Sequence, residues 1–198
     1  MTLRSRLAHA SDCNHTGSQL HFSREAWKKL QAYATTSAPN EINGFGLVTL
    51  ENGVFRVSLP SDVFITEQTV TPSAANVTGR AFAKAQYRAD QAGRSNDLRL
   101  QWHSHVYGQA YHSDTDMNNI EDYNYMDWFI SLVTTVHGEV TARLDTFRPF
   151  RLGAQMQIWV HDEVDEGLMA DIENDVDALV TVTKPPRKTV RRLAPASK

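Results

Sequence analysis

Residues 98–116 read LRLQWHSHVYGQAYHSDTD, and the way this run changes character decides how the chain is built. Residues 98–105 alternate apolar and polar side chains at period two, which is the pattern of a half-buried strand. Polar residues and a glycine follow, so the strand ends in a loop. Ser113 then opens a helix that runs through about Tyr125, with Asp116 three residues on as its acidic partner. A strand, a loop and a capped helix therefore carry three histidines, two serines and two aspartates between them.

Outward from this run the pattern is mixed. Ser23 can cap a helix in which Trp27, Leu30 and Ala34 recur at helical spacing and which Pro39 stops. In residues 41–60, EINGFGLVTLENGVFRVSLP, Asn52-Gly53 sits between β-branched runs. That is a hairpin signal for strands over 43–50 and 54–60. Residues 62–70 read as a third strand. Pro72-Ser73 is expected to open a long helix through AANVTGRAFAKAQYRADQAG, which Gly93 can end. Residues 127–136 and 139–147 flank His137-Gly138 as a second hairpin, and residues 154–160 add a strand. Residues 162–180 carry eight acidic residues, with Val164, Leu168, Ile172, Val176 and Leu179 at helical spacing, and are expected to form an amphipathic helix with a solvated acidic face. Helices interleaved with hairpins imply an α/β (α+β-like) fold around a mixed, mostly antiparallel sheet, not a doubly wound one.

The 198 residues suit one domain with tails. A flexible arm is expected over 1–19, the domain over 20–182 and a basic, disordered tail over 183–198, with six basic and no acidic residues from Lys184. A net charge of −3 argues against wholesale nucleic-acid binding. No run is long and apolar enough to span a membrane, and the N-terminus lacks the apolar core of a secretory signal. A single cysteine, Cys13, forms no internal disulfide and fits a reducing, cytoplasmic setting. Nothing around it is organised to make it a nucleophile.

His103 and His105 lie at i and i+2, so on a strand both imidazoles face one side and can serve one metal. Alone, the pair is a weak signal and reads more readily as two half-buried or surface histidines. Asp116 adds a hard oxygen ligand, and two histidines with one carboxylate leave a tetrahedral zinc one open position. Ser113 and Asp116 also read as a helix cap, and the two readings are compatible. Glu41 enters an apolar strand, an odd place for a charge unless it is the general base that a zinc hydrolase needs. Gly44 and Gly46 would permit close backbone approach there. Ser104 faces away from its histidine neighbours and reads as structural. His112 reads as a non-ligand.

These residues, Glu41, His103-Ser104-His105, seven residues, Ser113, two residues, Asp116, match the JAMM signature at every position. Over about residues 20–160 the chain resembles the JAB/MPN zinc metalloprotease superfamily, in its prokaryotic or phage form. The resemblance implies a curved sheet flanked by helices in the cytidine deaminase-like architecture. It implies Zn²⁺ on His103, His105 and Asp116, with Glu41 as general base and Ser113 donating to a developing oxyanion. The implied activity is an isopeptidase of the deubiquitinase kind, acting on a ubiquitin-like protein or its conjugates. The alternatives are a linear-peptide processing peptidase, phage-tail or cell-wall associated, and a non-catalytic scaffold. The chain departs from the family at Val106, where many members have proline, and at Asn43, where many bacterial members have cysteine. Sites of metallo-β-lactamase type fit less well, because Val106-Tyr107-Gly108 follows the histidine pair. Amidohydrolase barrels need a longer chain.

Overall fold

The computed structural model describes residues 17–161 and 169–182. The expected basic tail, most of the expected N-terminal arm and the first seven residues of the acidic segment lie outside them. In chain order the strands begin with β1 (Gln19–Ser23), β2 (Asn43–Leu47), β3 (Thr49–Glu51), β4 (Val54–Val57), β5 (Val63–Phe64), β6 (Gln68–Thr71) and β7 (Ala74–Val77). They continue with β8 (Leu98–His105), β9 (Trp128–Thr135), β10 (Val140–Thr146), β11 (Leu152–His161) and β12 (Val180–Val182). The helices are α1 (Arg24–Ser37), α2 (Gly79–Gln91), α3 (Asp114–Ile120) and α4 (Met169–Leu179).

Nine strands form one sheet in the order β3-β4-β1-β11-β10-β9-β8-β2-β5, and β12-β6-β7 form a second, smaller one. The large sheet is mixed and mostly antiparallel, as the interleaved hairpins imply, with parallel steps at β4-β1, β1-β11 and β8-β9. The β8–β9 step is parallel because the loop and α3 between them carry the chain back across the sheet. No helix among the described residues is long and apolar enough to cross a membrane.

Ser23 caps α1, its Oγ accepting the Ala26 N–H at 3.2 Å. That register turns Ala26, Leu30 and Tyr33 inward, all fully buried. Tyr33 stacks on Trp102 of β8, ring centroids 5.8 Å apart. Leu20, Phe22, Ile42, Leu100, Ile130 and Leu132 complete the core, and Ile172 and Val176 of α4 close over it. Each large side chain fully buried in this way contributes roughly 1.5–3 kcal/mol.

Four expectations need correction. The strand before Asn52-Gly53 is broken at Val48. β2 turns to pair with β8 and β5, and only β3 and β4 form the hairpin. Asn52 and Gly53 both have positive φ, 52° and 80°, as that two-residue turn requires. The strand expected over 62–70 is two, β5 and β6. The helix expected from Pro72-Ser73 begins only after Thr78, whose hydroxyl accepts the Ala81 N–H. Residues 74–77 form β7 instead, paired with β6 across the Pro72-Ser73 turn, because tertiary pairing overrides the helix preference of two alanines. Finally, β1 occupies the end of the expected arm and the residues before the Ser23 cap, as an internal strand between β4 and β11. The acidic helix is present over 169–179.

Candidate metal centre

On β8, Leu98, Leu100, Trp102 and Ser104 face the core, and Gln101 and His103 face the other way with partial exposure. Gly44 and Gly46 sit opposite Trp102 and Leu100 in the register. A Cβ on Gly44 would lie 2.4 Å from the Trp102 ring, and one on Gly46 2.7 Å from Leu100 Cδ2. The two glycines therefore make room for β8 core side chains. The close approach expected of them is to the interior, not to a ligand.

His103 and His105 point their Nε2 atoms at one another, 3.2 Å apart. Asp116 Oδ1 stands 3.4 Å from His103 Nε2. One donor atom from each of the three residues fits within 4.8 Å of the others, so the group could hold a metal ion. Ligands of a tetrahedral ion bound at about 2.0–2.1 Å stand roughly 3.3 Å apart. The two observed spacings fall there.

The surroundings set each ligand. His105 Nδ1 lies 3.2 Å from the Gln109 carbonyl. A carbonyl only accepts, so Nδ1 carries the proton and Nε2 offers its lone pair. The Tyr111 ring meets His105 edge-on at 5.2 Å. Asp116 divides its carboxylate. Oδ2 accepts from the Ser113 N–H and the Ser113 hydroxyl, both at 2.7 Å, while the Asp116 N–H donates back to Ser113 Oγ. Oδ1 is left facing His103. The helix cap and the ligand are thus one residue used through two oxygens. Ser113 is committed to Asp116 in this arrangement, so donating to an oxyanion would require its hydroxyl to turn. Burial lowers the His103 pKa to about 4, with Asp116 opposing and His105 and His112 adding. His103 is therefore neutral at physiological pH, as a metal ligand must be.

Glu41 lines the same cavity as the three, a cleft of about 480 Å³ that also admits Tyr107, Tyr111 and Ser131. Burial raises the Glu41 pKa, His105 opposes this, and Asp116 adds to it. Its position is fixed from three sides. The Glu41 N–H donates to Thr71 O at 2.9 Å. Ile42 exchanges two hydrogen bonds with Ser104, one through the buried Ser104 Oγ at 3.0 Å. The Asn43 N–H and C=O both bind the Gln68 side chain at 2.8 Å. Ser104 thus does the structural work expected of it, from the core face of the strand that carries the two histidines.

His112 lies apart from the converging group. Its Nε2 is 3.2 Å from the Ser131 carbonyl and 3.1 Å from Ser131 Oγ. Sequence reasoning missed Gln68 and Gln109. Gln68 carried only a faint signal, a carboxamide in an otherwise β-branched strand. The Gln109 contribution is a backbone oxygen and left none.

No protein-family model matches this chain. No curated protein matches it in sequence. Among solved structures, the fold is similar to the solution structure of protein DSY2949 from Desulfitobacterium hafniense, with a TM-score of 0.52 and 15% identity over 74% of this chain and 96% of that one. At that identity the likeness concerns the fold.

Proposed function

We propose that this chain is a zinc peptidase of the JAMM type, with the JAB/MPN architecture, that hydrolyses an amide bond after the C-terminal tail of a ubiquitin-like protein. The observation that carries the reading is the convergence of two imidazole Nε2 atoms and one carboxylate oxygen beside a half-buried glutamate, in an open cleft. Two imidazole nitrogens and one carboxylate oxygen make a donor set suited to zinc. Bound there, zinc supplies Lewis acidity toward a carbonyl and toward water.

The protein's own residues do the rest. His105 is held in the ligating tautomer by Gln109, and Asp116 is aimed by Ser113. Glu41, made more basic by burial, accepts a proton from the attacking water and delivers one to the leaving amine. Ser113, once its hydroxyl turns from Asp116, donates to the developing oxyanion. The bracing of residues 41–43 by Thr71, Ser104 and Gln68 keeps the carboxylate from drifting, and small displacements of a catalytic group are costly. An extended tail suits the cleft, since a folded surface cannot bring its main chain that close.

Glu41→Gln tests the assignment. It is expected to retain metal and fold while losing on the order of 10²–10⁴-fold in turnover of a ubiquitin-like fusion, as a lost general base does. Loss of metal in that variant, measured by elemental analysis, would make Glu41 a ligand and overturn the role given to it.

A further inference from the structure

Four carboxamides occupy the boundary between the metal-site cleft and a second cavity of about 420 Å³. Asn43 of β2, Asn76 of β7, Gln101 of β8 and Asn119 of α3 each line both spaces. Ala75 is the remaining residue the two linings share. Four elements far apart in sequence thus bring one functional group to one place. Among the described residues, none of these four side-chain amides has a hydrogen-bond partner. Asn43 is the most telling. It is 8% exposed, and its Oδ1 is closed to solvent and accepts nothing. Its main chain is locked on both sides by Gln68. A buried polar atom without a partner is rare in a native chain and asks for a reason.

The chemistry of the boundary is uniform and uncharged. A carboxamide carries an acceptor and a donor in one plane, which complements a peptide unit. The second cavity differs. The Phe82 ring meets Phe45 edge-on at 5.6 Å and Tyr123 edge-on at 5.8 Å. Tyr125 also lines it and is 55% exposed. Asp122 is the single charged side chain of that lining. A concave space with Phe82 and Tyr125 in its wall can receive an apolar side chain beside its polar groups.

We infer that the four carboxamides hold the main chain of an extended substrate where it leaves the metal centre, and that the aromatic cavity takes a bulky apolar side chain of that same chain. The inference rests on the peptidase reading and deepens it. The substrate class becomes a polypeptide with an apolar anchor at one fixed distance from the bond cut. Asn43, Asn76, Gln101 and Asn119 are positioning residues in this scheme, and Phe82 and Tyr125 set specificity.

The test reads binding separately from turnover. A library of random linear dodecapeptides on phage is selected against the full chain carrying Glu41→Gln and loaded with zinc. Selected sequences are expected to share a Leu, Met or Phe at one fixed position. Asn76→Ala with Asn119→Ala, both at exposed positions, should weaken every selected peptide roughly tenfold, as the loss of two hydrogen bonds does. Phe82→Leu with Tyr125→Ala should instead relax the preference at the apolar position. Circular dichroism confirms that each variant is folded. With the unaltered enzyme and a cleavable selected peptide, the carboxamide variants should raise KM more than they lower kcat. Selected sequences with no fixed apolar position, or affinities that none of these variants changes, overturn the inference. Selective binding without any hydrolysis by the unaltered chain would overturn the peptidase reading and leave the groove standing.

Discussion

Among the described residues two pairs of histidines lie close together, and one of them belongs to a group that could hold a metal ion. His103 and His105 bring two Nε2 atoms to 3.2 Å, and His21 and His161, on β1 and β11, bring Nδ1 and Nε2 to 2.8 Å. Burial depresses the pKa of both His21 and His103 to about 4, so the titration of the rings does not distinguish them. What differs is where the protons sit and what stands third. His21 Nε2 is 3.0 Å from Gln19 Oε1, an acceptor, so its proton is there and Nδ1 receives the proton of His161. Both nitrogens of His21 are satisfied by neighbours. The nearby third group is Arg56, a cation, which is among the causes of the low His21 pKa. At the other pair, Gln109 takes the outer proton of His105 and Asp116 supplies an anion. An outward proton on His105 and a carboxylate beside His103 are what make this pair a group that could hold a metal ion.

The largest expected effect comes from removing that triangle. His103→Ala, His105→Ala or Asp116→Ala should take bound metal from about one ion per chain to none, together with activity. His21→Ala and His161→Ala should leave the metal content unchanged. Metal that survives in Asp116→Ala would mean that the carboxylate is not the deciding partner. Next in size are the two glutamines. Gln68→Ala strands the buried N–H and C=O of Asn43, at about 1–3 kcal/mol for each group left unpaired. Gln19→Ala, at the half-exposed pair, should fall within about 0.5 kcal/mol. Urea titrations of both variants check the contrast, and equal losses would refute it.

The comparison can also be inverted. Arg56 faces His21 across the β1–β4 register. Arg56→Asp in a His103→Ala background should create weak zinc binding at the His21–His161 pair, seen by calorimetry. A silent titration would show that a carboxylate beside two histidines is insufficient. The smallest effect concerns Glu41 in the metal-free protein. Below its ordinary value of 4.5 the carboxyl is protonated in both the folded and unfolded chain. As pH rises the unfolded chain releases the proton first, so the fold loses stability until pH passes the raised native value. Glu41→Gln abolishes that loss. It should raise Tm on the order of 1–3 °C at pH 8 and leave it unchanged at pH 4. A gain that persists at pH 4 would trace to something other than ionisation.

The sequence made the metal-site end readable because its signals are local. His103 and His105 share a face through the two-residue period of β8, and Ser113 and Asp116 meet within one helical turn. Glu41 stood out as a charge entering an apolar strand. The parts that were not readable depend on distant partners. QLHFS, which forms β1, is too short to signal a strand before a helix cap, and it is a strand because β11 and β4 receive it. AANV reads as helix until β6 pairs with it. The break at Val48 follows from β2 turning to β8, while the Val48 N–H goes to the Asp97 carbonyl. The carboxamides between the cavities form a set only after four elements have met.

The position of β1 has a consequence for biosynthesis. Leu20 and Phe22, both fully buried, find their places only between β4 and β11, and the His21–His161 contact spans 140 residues of sequence. Loop-closure entropy must be overcome before the contact returns anything, so this pairing is expected to form late in folding. While the chain emerges from the ribosome, β1 can meet α1 and β4 early, but its other edge stays unpaired until the residues of β11 have been made. Such nascent intermediates aggregate readily, and a chain stopped short of β11 is a ready client for chaperones.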